Sequence, residues 1–124
     1  MASTFRPITD DEMLVITERM LKKIKMICPR FSIPADPDEK DMLIGMWAKA
    51  LRMYVEYPRS AYEMAIDLYA AAASREDNAP LPGDILKYCR EAVAKMEVDP
   101  QLAPRINDWR AGRREIMDRR VAPN

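Results

Sequence analysis

The sequence predicts an all-α protein: a compact bundle of four helices followed by a basic C-terminal segment, either a fifth helix or a tail. Three observations carry this. Apolar residues recur at spacings of three and four in four separate stretches. Ten methionines and many alanines favour helix, whereas valine and threonine are sparse and only three glycines occur. Prolines and capping residues fall between the stretches, where helices start and stop. A hydrophobic content of 48% in 124 residues is enough for one folded domain. We expect it over residues 10–98, after a flexible N-terminus at 1–9 and before an appendage at 99–124.

The first helix is predicted from Asp10 to Ile27. Thr9 is its N-cap, with Glu12 completing a capping box. Asp10, Asp11 and Glu12 suit the positive end of the helix dipole, and Lys22, Lys23 and Lys25 suit the other end. Met13, Ile16, Met20, Ile24 and Ile27 form its apolar stripe. Pro29 stops it, and Phe31 and Ile33 point inward from the loop that follows.

The second helix opens with Asp36 as N-cap and Pro37 in the first turn. Leu43, Met46, Trp47, Ala50, Leu51 and Tyr54 define its buried face, and Gly45 marks a close helix approach. Tyr57-Pro58 breaks the chain. Ser60 and Glu63 read as the capping box of a third helix that buries Ala61, Ala65, Leu68, Tyr69 and Ala72. Its alanine run 70–73 would admit a close neighbour, and Glu76-Asp77-Asn78 ends it. The fourth helix begins near Pro82 and buries Ile85, Tyr88, Cys89, Ala92, Val93 and Met96. Val98-Asp99-Pro100 closes the compact part.

The last quarter differs in charge. Residues 101–124 hold six arginines against Asp108, Glu115 and Asp118, a net charge of +3. The chain is neutral, so residues 1–100, with 14 basic and 17 acidic groups, carry −3. Pro104 suits the first turn of a fifth helix from about Ala103. Ile106, Trp109, Ile116 and Met117 are roughly in phase, although Arg113 interrupts the stripe and Gly112 weakens it. An isolated helix of this length is marginal in water, so we expect it to order on contact. Arginine and tryptophan are enriched in binding hot spots, and arginine pairs bidentately with carboxylate or phosphate. The candidate partner-binding residues are therefore Arg105, Ile106, Trp109, Arg110, Arg113, Arg114, Ile116 and Met117. The competing reading packs Ile106 and Trp109 back onto the body.

Several chemistries are excluded or disfavoured. The chain has no histidine, which removes the commonest general base and the usual zinc sites. It has no G-x-x-x-x-G-K-[ST] and no G-x-G-x-x-G phosphate-binding loop. The acidic runs at Asp10–Glu12 and Asp36–Asp41 sit at helix N-termini, where acids belong, and the second lacks the sixth-position glycine of an EF-hand. We expect no catalytic residues, no metal and no cofactor. Cys28 and Cys89 read as reduced, partly buried thiols of a cytoplasmic protein, a disulfide between them being the alternative. No stretch approaches the roughly 20 apolar residues of a membrane span. The fourth helix is too mixed in charge for a DNA-reading helix, with Asp84 and Glu91 beside Lys87, Arg90 and Lys95.

Three short motifs occur in a set order: Cys28-Pro29-Arg30-Phe31, the helix containing Trp47, and Ala79-Pro80-Leu81-Pro82-Gly83-Asp84-Ile85. In this, residues 10–96 resemble the small helicase loader-inhibitor proteins of bacteriophages and prophages. The resemblance implies a compact helical domain followed by a flexible C-terminal segment. It implies binding to a hexameric replicative helicase, which such proteins hold inactive and deliver to a phage origin through an initiator protein. It implicates the C-terminal segment in gripping the helicase, a role that maps onto residues 101–124 as a whole. The expected function is a non-enzymatic replication adaptor in the bacterial host cytoplasm. The alternatives are a small nucleic-acid-binding helical protein and a self-associating structural one.

Overall fold

The computed structural model describes residues 6–73 and 78–121, the last seven by backbone alone. Five helices follow in order: α1 (Asp10–Ile27), α2 (Pro37–Leu51), α3 (Arg59–Ala72), α4 (Pro82–Glu97) and α5 (Ala103–Val121). No strand occurs among the described residues. Two antiparallel hairpins build the body. In one, the start of α1 meets the end of α2 through Asp10 and Arg52, 2.9 Å apart. In the other, α3 and α4 make the most extensive helix contact of the fold. The first hairpin lies on the second through α1 against α3 and α2 against α4, and α5 docks on α4.

The helix starts show local chemistry at work. The Thr9 hydroxyl accepts a hydrogen bond from the Glu12 amide at 3.1 Å and donates to the Glu12 carboxylate at 3.1 Å. Asp36 accepts from the Glu39 amide at 3.0 Å, with Pro37 next to it at the head of α2. At α4 the Asp84 carboxylate reaches back to the Leu81 amide at 2.8 Å. Each contact satisfies an amide left open by the first helical turn.

The start of α3 departs from expectation. Its N-cap is Pro58, whose carbonyl accepts from the Ala61 amide at 2.9 Å, and no side chain caps the turn. The extended conformation at Pro58 launches the helix before Ser60 can cap it. Ser60 lies inside the first turn with its hydroxyl beside the Met96 sulfur, and Glu63 pairs with Arg59.

The core gathers Met13, Ile16, Met20 and Ile24 of α1 with Ile44, Trp47 and Leu51 of α2, Tyr62 and Ile66 of α3, and Ile85, Cys89 and Met96 of α4. Phe31 is buried in the same cluster and Ile33 packs partly against it. Four expectations need correction. The inward face of α2 is Ile44, Trp47, Ala48 and Leu51, whereas Met46 is 67% exposed and Tyr54, beyond the helix end, 84%. On α3, Ala70, Ala71 and Ala72 face outward, and the fully buried alanines are Ala61 and Ala65. A Cβ at Gly45 would meet nothing within 4 Å, so no helix of this fold crowds that position. Finally, the core extends past Val98, since Ile106 and Trp109 belong to it, and in front of Asp10, since Ile8 is buried. Residues 1–5, 74–77 and 122–124, with the expected polar end of α3 at Glu76-Asp77, lie outside the described residues.

Cys28 and Cys89 are both free thiols and both buried. Thr17, fully buried in α1, has a hydroxyl without a hydrogen-bond partner among the described residues. Removing an unsatisfied buried polar group while keeping the side chain's shape recovers its desolvation cost. Thr17→Val should raise the unfolding free energy by about 1 kcal/mol, seen as a higher denaturant midpoint at unchanged slope. A lower midpoint would show that the hydroxyl is satisfied.

Candidate partner-binding site

The segment Asp99–Leu102 sets the direction of α5. The Asp99 carboxylate accepts from the Gln101 amide at 2.9 Å, and its carbonyl accepts from the Ala103 amide at 2.8 Å. Pro104 follows in the first turn, where its missing N–H costs nothing. The helix then presents Ile106 and Trp109, three residues apart, to the body.

Trp109 is the anchor. It is 3% exposed, and its indole N–H donates to the Glu56 carbonyl at 2.8 Å. Its ring stacks on Tyr57 at 5.8 Å between centroids and 24° between planes. Tyr57 in turn meets Tyr62 edge to face at 5.9 Å. The Arg113 guanidinium lies over the outer side of the indole, 5.1 Å from its centroid. Arg110 forms an ion pair with Glu97 at the end of α4. Gly112 is buried as well.

The eight residues expected to bind a partner thus divide. Ile106 and Trp109 belong to the core and form the seat of the helix. Arg105 and Arg114 are exposed, and Arg110 and Arg113 are half-exposed beside their intramolecular contacts. The side chains of Ile116 and Met117 lie outside the described residues. The four arginines share one helix but not one face: Arg113 lies against Trp109, Arg110 turns to Glu97, and Arg105 and Arg114 are exposed half a turn apart. A shallow hollow runs between Arg105 and Asp108 of α5 and, on the other side, Pro58 with Arg59, Ser60 and Glu63 of α3 after it. The competing reading, with Ile106 and Trp109 packed back onto the body, is what the structure shows, but the seat where they dock was not visible in sequence. Its hydrogen-bond acceptor is the main-chain carbonyl of Glu56, which leaves no residue-type signature.

Burial pushes the Cys89 thiol up to about 12, so at neutral pH it is a packing group and no nucleophile. Burial also raises the Tyr57 phenol, against the opposing charges of Arg90 and Arg113. Among the described residues no three of His, Cys, Asp and Glu are grouped so as to hold a metal ion. The cleft between α1 and α3 holds about 250 Å³ and mixes Arg19, Lys23 and Arg59 with Glu63 and Asp67. Among the described residues no helix is long and apolar enough to cross a membrane.

No protein-family model matches the chain, and no curated protein or solved structure is significantly similar to it.

Trp109→Ala should cost about 3–5 kcal/mol, measured by denaturant unfolding, as the stacking, the hydrogen bond and the buried area go together. Trp109→Phe retains the apolar contact and should lose about 1–2 kcal/mol through the orphaned Glu56 carbonyl. An alanine variant as stable as the parent would mean that α5 is not docked.

Proposed function

We propose that this chain is a non-enzymatic adaptor of DNA replication in a bacterial host cytoplasm, binding a hexameric replicative helicase and inhibiting or loading it. The observation that carries the binding role is the docked, arginine-bearing α5. Ile106 and Trp109 anchor it, while Arg105 and Arg114 are exposed and Arg110 and Arg113 are half-exposed beside Glu97 and the Trp109 indole. An anchored helix presents its guanidinium groups with less ordering cost than a free tail would. Arginines so placed suit carboxylates on a protein surface.

The helicase as partner rests on the resemblance of residues 10–96, and the motifs that carry it share one body. Phe31 meets Trp47 edge to face at 5.8 Å. Pro80 is buried, Asp84 caps α4, and Ile85 is fully buried. These motifs therefore support a common fold more directly than a common contact surface. A phage replication initiator is the second protein partner of this reading.

The outward arginines also suit phosphate, which favours a nucleic-acid binder as the alternative. Arg105→Glu with Arg114→Glu tests both, because both side chains are exposed and the fold should be kept. On the adaptor reading, capture of a replicative helicase by the full chain falls at least about tenfold, the equivalent of 1.4 kcal/mol. Undiminished capture by the charge-reversed chain would refute the role of α5. Tight oligonucleotide binding whose affinity falls with salt at a slope of about −0.9 per phosphate contact would give the reading to nucleic acid instead.

A further inference from the structure

The outward ridge of α2 is unlike the outward face of a surface helix. With about 100° between successive residues, Met42 and Met46 lie within about 40° of each other, opposite the buried Ile44, Trp47 and Leu51. Met42 is 66% and Met46 67% exposed, and Met53, in the turn after the helix, is 57% exposed. Glu39 and Lys49 flank the methionines on the same ridge, both exposed and neither in an ion pair among the described residues. Gly45 lies near the ridge, and nothing within the chain comes close enough to require a glycine there. A mid-helix glycine costs about 1 kcal/mol relative to alanine.

The order of these residues is self-complementary. Met42 and Met46 stand two residues either side of Ile44, and Glu39 and Lys49 stand five residues either side of it. An antiparallel pairing of α2 with a second α2 about a two-fold axis at Ile44 therefore sets Met42 against Met46 twice. It also sets Glu39 against Lys49 twice. A parallel pairing would put Glu39 against Glu39 and Lys49 against Lys49. In an isologous contact one patch must match itself, and here both the apolar and the charged positions do.

We propose that the exposed methionine ridge of α2 is a homodimer interface, with a second copy of this chain as its occupant in antiparallel, two-fold arrangement. The contact is distinct from the arginine surface of α5 and does not depend on the proposed partner of that surface. One short helix per protomer makes a small interface, so the dimer belongs to the weak, concentration-dependent class. Methionine suits such a contact, being apolar, unbranched and adaptable.

Sedimentation velocity of the full chain over micromolar to millimolar concentrations tests this. The expected result is a reversible monomer–dimer equilibrium. Lys49→Glu, which replaces two attractions by two repulsions, should weaken it by about tenfold. Adding Glu39→Lys to the same chain restores complementarity on both sides and should bring the dissociation constant back to within about threefold of the parent. Met46→Asp should abolish the dimer, and far-UV circular dichroism and the unfolding midpoint should remain those of the parent, because the side chain is exposed. A chain that stays monomeric at millimolar concentration overturns the proposal. So does a dimer indifferent to Met46→Asp, or a double charge swap that fails to restore association.

Discussion

The phenolic hydroxyl of Tyr62, fully buried between the two helical hairpins, holds the most consequential polar contact of the protein. It donates to the Leu51 carbonyl at 2.9 Å, at the last turn of α2, and accepts from the Tyr57 amide at 3.2 Å. One side chain of α3 thereby satisfies a main-chain acceptor and a main-chain donor that the break between α2 and α3 would otherwise leave buried and unpaired. Loss of such a bridge exposes both groups to their full desolvation cost. Burial also drives the Tyr62 phenol above its ordinary range, which favours the neutral donor form. Arg52 reinforces the same junction from outside, reaching the Ile8 carbonyl at 3.0 Å, Asp10 at 2.9 Å and Glu56 at 2.5 Å.

The placement of α5 follows from that junction. Residues 52–58 are held by Tyr62 and Arg52, which place the Glu56 carbonyl and the Tyr57 ring where α5 docks. Trp109 then finds an acceptor for its indole N–H and an aromatic face to stack on. Packing of one side chain on a prepared site does for this helix what its own sequence does poorly. The helix contains Gly112 and an interrupted apolar stripe, and alone it would be marginal. Tertiary contact outweighs local propensity here, as it commonly does.

Much of the fold was legible in the sequence because its punctuation is chemical. Thr9, Asp36 with Pro37, and Pro82 with Asp84 mark helix starts that need no tertiary information. The face of α2 was not legible for a definite reason. Apolar residues run almost all round it, from Met42 through Leu43, Ile44, Met46, Trp47, Ala48, Ala50 and Leu51, so two stripes fit the helical period about equally. The neighbours break the tie, and they choose Ile44 and Ala48 over Met46 and Tyr54. Ser60 and Glu63 satisfy a capping pattern that Pro58 pre-empts. Of the candidate site, the arginines were visible as charge and Trp109 as an unusual residue. Its docking was open, because the partner groups are a backbone carbonyl and a tyrosine more than fifty residues away in sequence.

The charge asymmetry between body and C-terminal segment takes a different meaning once α5 is docked. A free segment of net charge +3 would act through its summed field, and any acidic surface would do. In the docked helix Arg110 is turned to Glu97 and Arg113 to the indole of Trp109, so part of that charge is engaged within the molecule. Arg105 and Arg114 remain exposed, nine residues apart. That is about 13–14 Å along the axis but half a turn around it, so the two guanidinium groups leave α5 on opposite sides. A flat surface that meets one of them does not meet the other, and the docked helix does not present its charge as a single positive face.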